Sequence, residues 1–182
     1  MSHPPRIAVG LAAITLATLA TGCSSSDGTT GLATPPPAAP LTSPPATSAA
    51  QPTRTATQYA AALKTAVSRV RRVYEVTEKT DSNKLLGRPN GYTSAAVLAD
   101  RDADQCTSAL DGIDCGVVVE VWPDAQAVTS RVAYIQGILK NAPALGSEFD
   151  YPSGAALLRV NGKVVEPSVA RSYEAAWHQA AG

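Results

Sequence analysis

Between Ser24 and Arg54 the chain is built from Ser, Thr, Ala, Gly and Pro and has almost no large apolar side chain. Such a stretch cannot bury enough surface to offset the entropy of ordering it, so no core forms there. Whatever folds must be made from residues 55–182, a length that suits one domain with a real core. Pro35-Pro36-Pro37 and Pro44-Pro45 favour polyproline II geometry. We read the stretch as a tether, reaching at most ~90–100 Å if fully extended in that form and about 30 Å as a flexible coil. Docking to a partner's proline-binding groove is the alternative, and a plain spacer is preferred. The Thr/Ser-Pro composition leaves O-glycosylation open.

Ahead of the tether, Arg6 precedes an apolar run from Ile7 to Leu19, and Ala20, Thr21 and Gly22 are small. This is the pattern of a secretory signal peptide over residues 1–22. The run is shorter than the roughly 20 apolar residues of a membrane span. Leu19-Ala20-Thr21-Gly22-Cys23, followed by Ser24-Ser25-Ser26, resembles the lipobox of bacterial lipoproteins. Ala20 stands where that motif more often has Leu. The resemblance implies that Cys23 is lipidated through a thioether and becomes the first mature residue. Residues 23–54 are then the tether and 55–182 the folded domain. Two acyl chains anchor stably where one does not. The expected partner at this end is therefore the membrane, on its extracytoplasmic face. An ordinary cleavage site is the competing reading, and Ala20-Thr21-Gly22 satisfies it only in part.

In the domain, Tyr59, Leu63, Val67, Val70 and Val73/Tyr74 recur at helical spacing, so a helix is expected over about Thr57–Glu78. Thr55 and Gln58 form a candidate capping box. Lys64, Arg69, Arg71, Arg72, Glu75 and Glu78 would occupy the opposite face, where a plain solvated surface is preferred to a contact of Arg69, Arg71 and Arg72 with anionic lipid headgroups or wall polymers. Glu75 would then partly neutralise the arginines at helical spacing. Leu85 to Tyr92 contains Gly, Pro and Asn-Gly and reads as a loop. Thr93–Ala99 and the β-branched run Gly116–Trp122 read as strands. Asp124 caps a second helix with Val128, Val132, Ile135 and Leu139 on one face, ending near Asn141. Gly137 within it suggests close packing. Ala155–Val160 is a third strand. Asn161-Gly162 is a tight-turn signal that would fold Lys163-Val164-Val165 back as a short fourth. Pro167 opens a final helix with Val169, Tyr173, Ala176 and Trp177 buried. The order is α-β-β-α-β-(β)-α. The expected class is α+β, a small, mostly antiparallel sheet of three or four strands with about three helices on one face.

Cys106 and Cys115 are the remaining cysteines. In an exported protein a disulfide between them is the default, and with Cys23 lipidated no odd thiol is left. Closing that loop would add ~2–3 kcal/mol. A redox pair normally shows Cys-x-x-Cys, and zinc needs further ligands, for which the mature domain offers only His178. Asp100, Asp102, Asp104, Asp111 and Asp114 lack the spacing of a calcium loop, and a solvated acidic loop is preferred to a weak cation site. Neither a nucleophile elbow nor a phosphate-binding glycine loop is present, so no cofactor, metal site or catalytic residue is assigned. Formal net charge is +0, which gives no reason to expect nucleic acid as a partner.

Asp81-x-Asn83-x-Leu85-Leu86-Gly87-Arg88-Pro89 with Tyr92-Thr93-Ser94 resembles a segment of small secreted or lipid-anchored actinobacterial proteins. Val119-Glu120-Val121-Trp122, Tyr134-Ile135-Gln136 and Leu157-Leu158-Arg159-Val160 extend the likeness over most of residues 79–177. It implies a fold and a compartment but no chemistry. Within that loop Arg88, Asn90 and Tyr92 are the candidate binding side chains, and Gly87, Pro89 and Gly91 are assigned to loop geometry. The expected function is a lipid-anchored, non-catalytic module binding an envelope protein or polymer. The alternatives are an envelope hydrolase with a site near His178 and the acidic loop, or a small-ligand or lipid carrier with an apolar cavity between sheet and helices.

Overall fold

A computed structural model describes residues Arg54–Gly182. The signal segment, Cys23 and all of the tether except Arg54 lie outside the described residues. The elements run α1 (Ala56–Ala66), β1 (Val70–Glu75), β2 (Ser94–Asp100), a 3-10 segment (Ala109–Cys115), β3 (Gly116–Val121), α2 (Ala125–Asn141), a short 3-10 turn (Pro143–Leu145), β4 (Glu148–Ser153), β5 (Ala156–Asn161) and α3 (Pro167–Ala181). The sheet has five strands in the order β1-β2-β3-β5-β4. Every neighbouring pair is antiparallel. The class is α+β, as expected. No helix among the described residues is long and apolar enough to cross a membrane.

The first helix starts where expected, with the reciprocal Thr55–Gln58 capping box formed. It does not reach Glu78. Val67 is already extended, at φ −114° and ψ 100°, and Val70–Glu75 is an edge strand paired with β2. Valines at 67, 70, 73 and 76 imitate a helical stripe. β-branched side chains are nevertheless stiff in helices and pack well on a pleated sheet, so tertiary pairing decides. The arginines follow the strand. Arg69 pairs with Asp100 and Asp102, while Arg71 and Arg72 are exposed. The expected helical neutralisation by Glu75 is absent.

β4 was not anticipated, although Phe149 and Tyr151 alternate with Glu148 and Asp150. It joins β5 through Gly154-Ala155, with Gly154 at φ +52°, a two-residue hairpin that suits glycine at the first turn position. Conversely, Lys163–Val165 is not a strand. Asn161 turns the chain instead: its side chain accepts from Lys163 N at 2.8 Å, its carbonyl accepts from Val164 and Val165, and the turn leads into α3. The expected close packing at Gly137 is also missing, since a Cβ there would meet nothing within 4 Å.

Helices cover both faces of the sheet rather than one. On the first, α1 and α3 bury Leu63, Tyr173 and Trp177 against Leu98, Val119 and Leu158. On the second, α2, the 3-10 segment and the loop after β1 cover Val97, Val118 and Leu157. All six residues of β3 and of β5 are therefore buried, which is why those strands read as near-continuous apolar runs, interrupted by Glu120, Arg159 and Asn161, rather than alternating ones. The disulfide Cys106–Cys115 is formed, with Cα atoms 4.9 Å apart, and it pins the loop between β2 and β3 to the second face.

Candidate functional site

The loop between β1 and β2 is organised by one buried carboxylate. Asp81 Oδ1 accepts from Asn83 N at 3.0 Å, and Oδ2 accepts from Leu85 N and Leu86 N at 2.7 Å each. The Tyr92 hydroxyl also donates to Oδ1. Burial pushes the Asp81 carboxyl up, but the Tyr92 hydroxyl and the three amides outweigh it and hold the group below its usual range. Burial and the Asp81 contact push the Tyr92 hydroxyl strongly up. Gly91 closes the loop where only glycine fits, because a Cβ would lie 1.8 Å from the Leu85 carbonyl oxygen.

This geometry divides the three loop residues singled out by sequence. Tyr92 is 2 % exposed and stands edge-on to Trp122, ring centroids 5.6 Å apart, so it is part of the loop's foundation rather than its contact surface. Arg88 is exposed and does not line a described cleft. Asn90 does. It faces a cleft of about 430 Å³ between the loop and α2. Leu85 and Asn83 join it from the loop, Ala127, Ser130, Arg131 and Tyr134 from α2, and Trp122 from the end of β3. Tyr134 is 63 % exposed. A second cleft of about 190 Å³ lies between the loop and the 3-10 segment, with Arg159 in its lining.

Beneath the larger cleft is a group of buried charges. Glu120 is fully buried. Its Oε1 accepts from Arg131 Nη2 at 3.0 Å and Arg159 Nη1 at 2.8 Å. Its Oε2 accepts from Arg131 Nε at 3.2 Å and Trp122 Nε1 at 3.1 Å. Arg159 reaches Glu148 through Nε and Nη2, both at 2.9 Å. Gln136 donates to Asp150 Oδ2 at 2.7 Å, while the buried Asp150 Oδ1 has no partner. Burial pushes the Glu148 and Asp150 carboxyls up. It pulls the Arg159 guanidinium down, and Glu120 and Glu148 more than reverse that. Three charges inside apolar strand or helix patterns, Glu120, Arg131 and Arg159, were the available signal. A lone charge in a strand does not say which partner it meets.

The acidic loop is largely committed to structure. Asp100 is buried, not solvated: it accepts from Arg69, from the Tyr173 hydroxyl at 2.7 Å and from Asp102 N at 3.0 Å. Asp111 accepts from Thr107 N, Thr107 Oγ1 and Ser108 N, and the two amides hold its carboxyl below the usual range. Asp111 also lies close to the Cys106 and Cys115 sulfurs, but those are joined as a disulfide and offer no thiolate to a metal. His178 is 65 % exposed on α3, with Glu174 one turn earlier at 3.9 Å. α3 packs on the face opposite the disulfide loop, so the fold does not bring His178 to the 3-10 segment.

No family model matches the chain, and no curated protein or solved structure matches it.

Proposed function

We propose that this protein is a lipid-anchored extracytoplasmic binding module, held to the membrane at Cys23 and presenting the cleft between the β1–β2 loop and α2 to an envelope partner. The observation that carries the reading is the composition of that cleft. Its wall combines apolar and aromatic groups with a few polar ones, as ligand sites do. Its charged member, Arg131, is already paired with Glu120. That suits recognition better than proton transfer, which wants a titratable group poised near working pH. The tether supports the reading, because a membrane-held module with a long spacer can search the envelope around it.

Two measurements test it. Cell fractionation should find the protein with the membrane and lose it from there in Cys23→Ser; a mutant still processed and membrane-bound removes the anchor. Purified Cys23→Ser chain, which carries no acyl group, should still co-sediment with isolated cell envelope added in excess, and the same chain with Tyr134→Ala should do so weakly. Equal sedimentation of the two removes the cleft.

A further inference from the structure

We propose that the cleft takes neutral oligosaccharides bearing N-acetylated sugar rings. This rests on the binding reading above and names its ligand. Arg131 sets the first requirement. Its Nε and Nη2 are committed to Glu120, which leaves Nη1 without a protein partner among the described residues, on a side chain that lines the cleft. Glu120 compensates the guanidinium charge, and Glu148 does the same for Arg159. The free N–H groups therefore seek an oxygen, but the site has no excess positive charge to offset the desolvation of an anion. A carboxylate or phosphate would also lie near the fully buried Glu120. An amide carbonyl satisfies the donor without that penalty.

Beside that donor, Leu85, Ala127 and Trp122 offer apolar contact, which suits the methyl of an acetamido group. Tyr134 supplies the second requirement. Its exposed ring on α2 is an aromatic platform of the kind on which the C–H face of a pyranose packs. Asn90 supplies the third. Its carboxamide makes no hydrogen bond to the protein among the described residues and carries both donors and an acceptor, which matches paired sugar hydroxyls. The volume of about 430 Å³ lies within the range of small-molecule sites. A peptide added as a strand would need an open sheet edge. The edges are β1 and β4, whereas the cleft sits beside Trp122, directly after the central strand β3.

The test is titration of the ¹⁵N-labelled full chain with chitotetraose, and with cellotetraose as the same backbone lacking acetamido groups. Chitotetraose should shift the Trp122 indole and Asn90 carboxamide signals. Cellotetraose should bind on the order of tenfold more weakly, and Tyr134→Ala should lose a similar factor with the rest of its spectrum unchanged. Equal affinity for both sugars, or shifts confined to residues away from the cleft, overturns the assignment. If neither sugar binds while Tyr134→Ala still fails to sediment with envelope, the sugar class falls and the cleft stands, with a peptide the next occupant to test. If neither sugar binds and Tyr134→Ala sediments normally, both readings fall.

Discussion

The two faces of the sheet are covered by different chemistry. Under α1 and α3 the interior is mostly apolar, with Trp177, Tyr173 and Leu63 inaccessible and Tyr59 packed 5.2 Å from the Trp177 ring. Its buried charge, Asp100, sits at the end of β2 and ties α3 to the α1–β1 turn through Tyr173 and Arg69. Under α2 and the long loop, the interior contains Glu120, Arg131 and Arg159, and the described clefts open there. The contrast teaches that one sheet can separate its tasks. Apolar burial on one face supplies stability. The other tolerates polar groups and incomplete cover because paired charges hold one another in place.

Breaking the first face should have the largest effect. Trp177→Ala should lose about 3–5 kcal/mol in urea unfolding, the usual result of emptying a large core site. A loss below about 1 kcal/mol would mean that the α3 face is not the stabilising one. Glu120→Gln should cost a comparable ~3–5 kcal/mol, because it leaves the buried Arg131 guanidinium without its charge partner and takes one of two from Arg159. A small loss would show that the second face does not depend on its ion pairs. Removing the disulfide with Cys106→Ser and Cys115→Ser together should cost about 2–3 kcal/mol, read as a drop in melting temperature.

A pH series sharpens the comparison within the second face. Asp81 has a folded pKa below its unfolded value, so its stabilising contribution is present above the unfolded pKa and is lost as pH falls through the folded one. Asp150 has a raised folded pKa, so the folded state binds the extra proton. Its destabilising contribution appears as pH rises from the ordinary carboxylate range through the raised value. Asp81→Asn should therefore be destabilising at neutral pH and Asp150→Asn stabilising, and both differences should shrink in acid. The same sign for both variants would contradict the geometry. The smallest stability effect belongs to Tyr134→Ala, within about 0.5 kcal/mol, as expected for an exposed side chain. By contrast Tyr92→Ala would empty the loop's foundation, so lost binding in that variant would not report on the cleft.

Much of the fold was legible. The Thr55 capping box, the valine run of β3, the Asp124 cap and Pro167 are local signals, and local signals survive folding. Two errors came from patterns that are locally ambiguous. The valines from 67 to 76 fit a helical stripe and an edge strand alike, and only pairing with β2 separates them. Asn161-Gly162 is a turn, but whether a strand follows depends on whether the sheet has an open edge to receive it. β4 occupies that edge.

Of the candidate site, the loop was legible and its partners were not. Asn90 stands at the cleft as one of the residues singled out, while Tyr92 turned inward because the Asp81 carboxylate needed a donor. Tyr134, Trp122 and Arg131 meet Asn90 only through tertiary packing. From sequence alone follow the α+β class, the pairing of Cys106 with Cys115 and the expectation that residues 24–54 build no core, because composition, periodicity and cysteine arithmetic act over short range. Tertiary structure alone decided which strands pair, that both faces are covered, and that Glu120 meets Arg131 and Arg159. Those outcomes depend on side chains far apart in the chain competing for the same buried space.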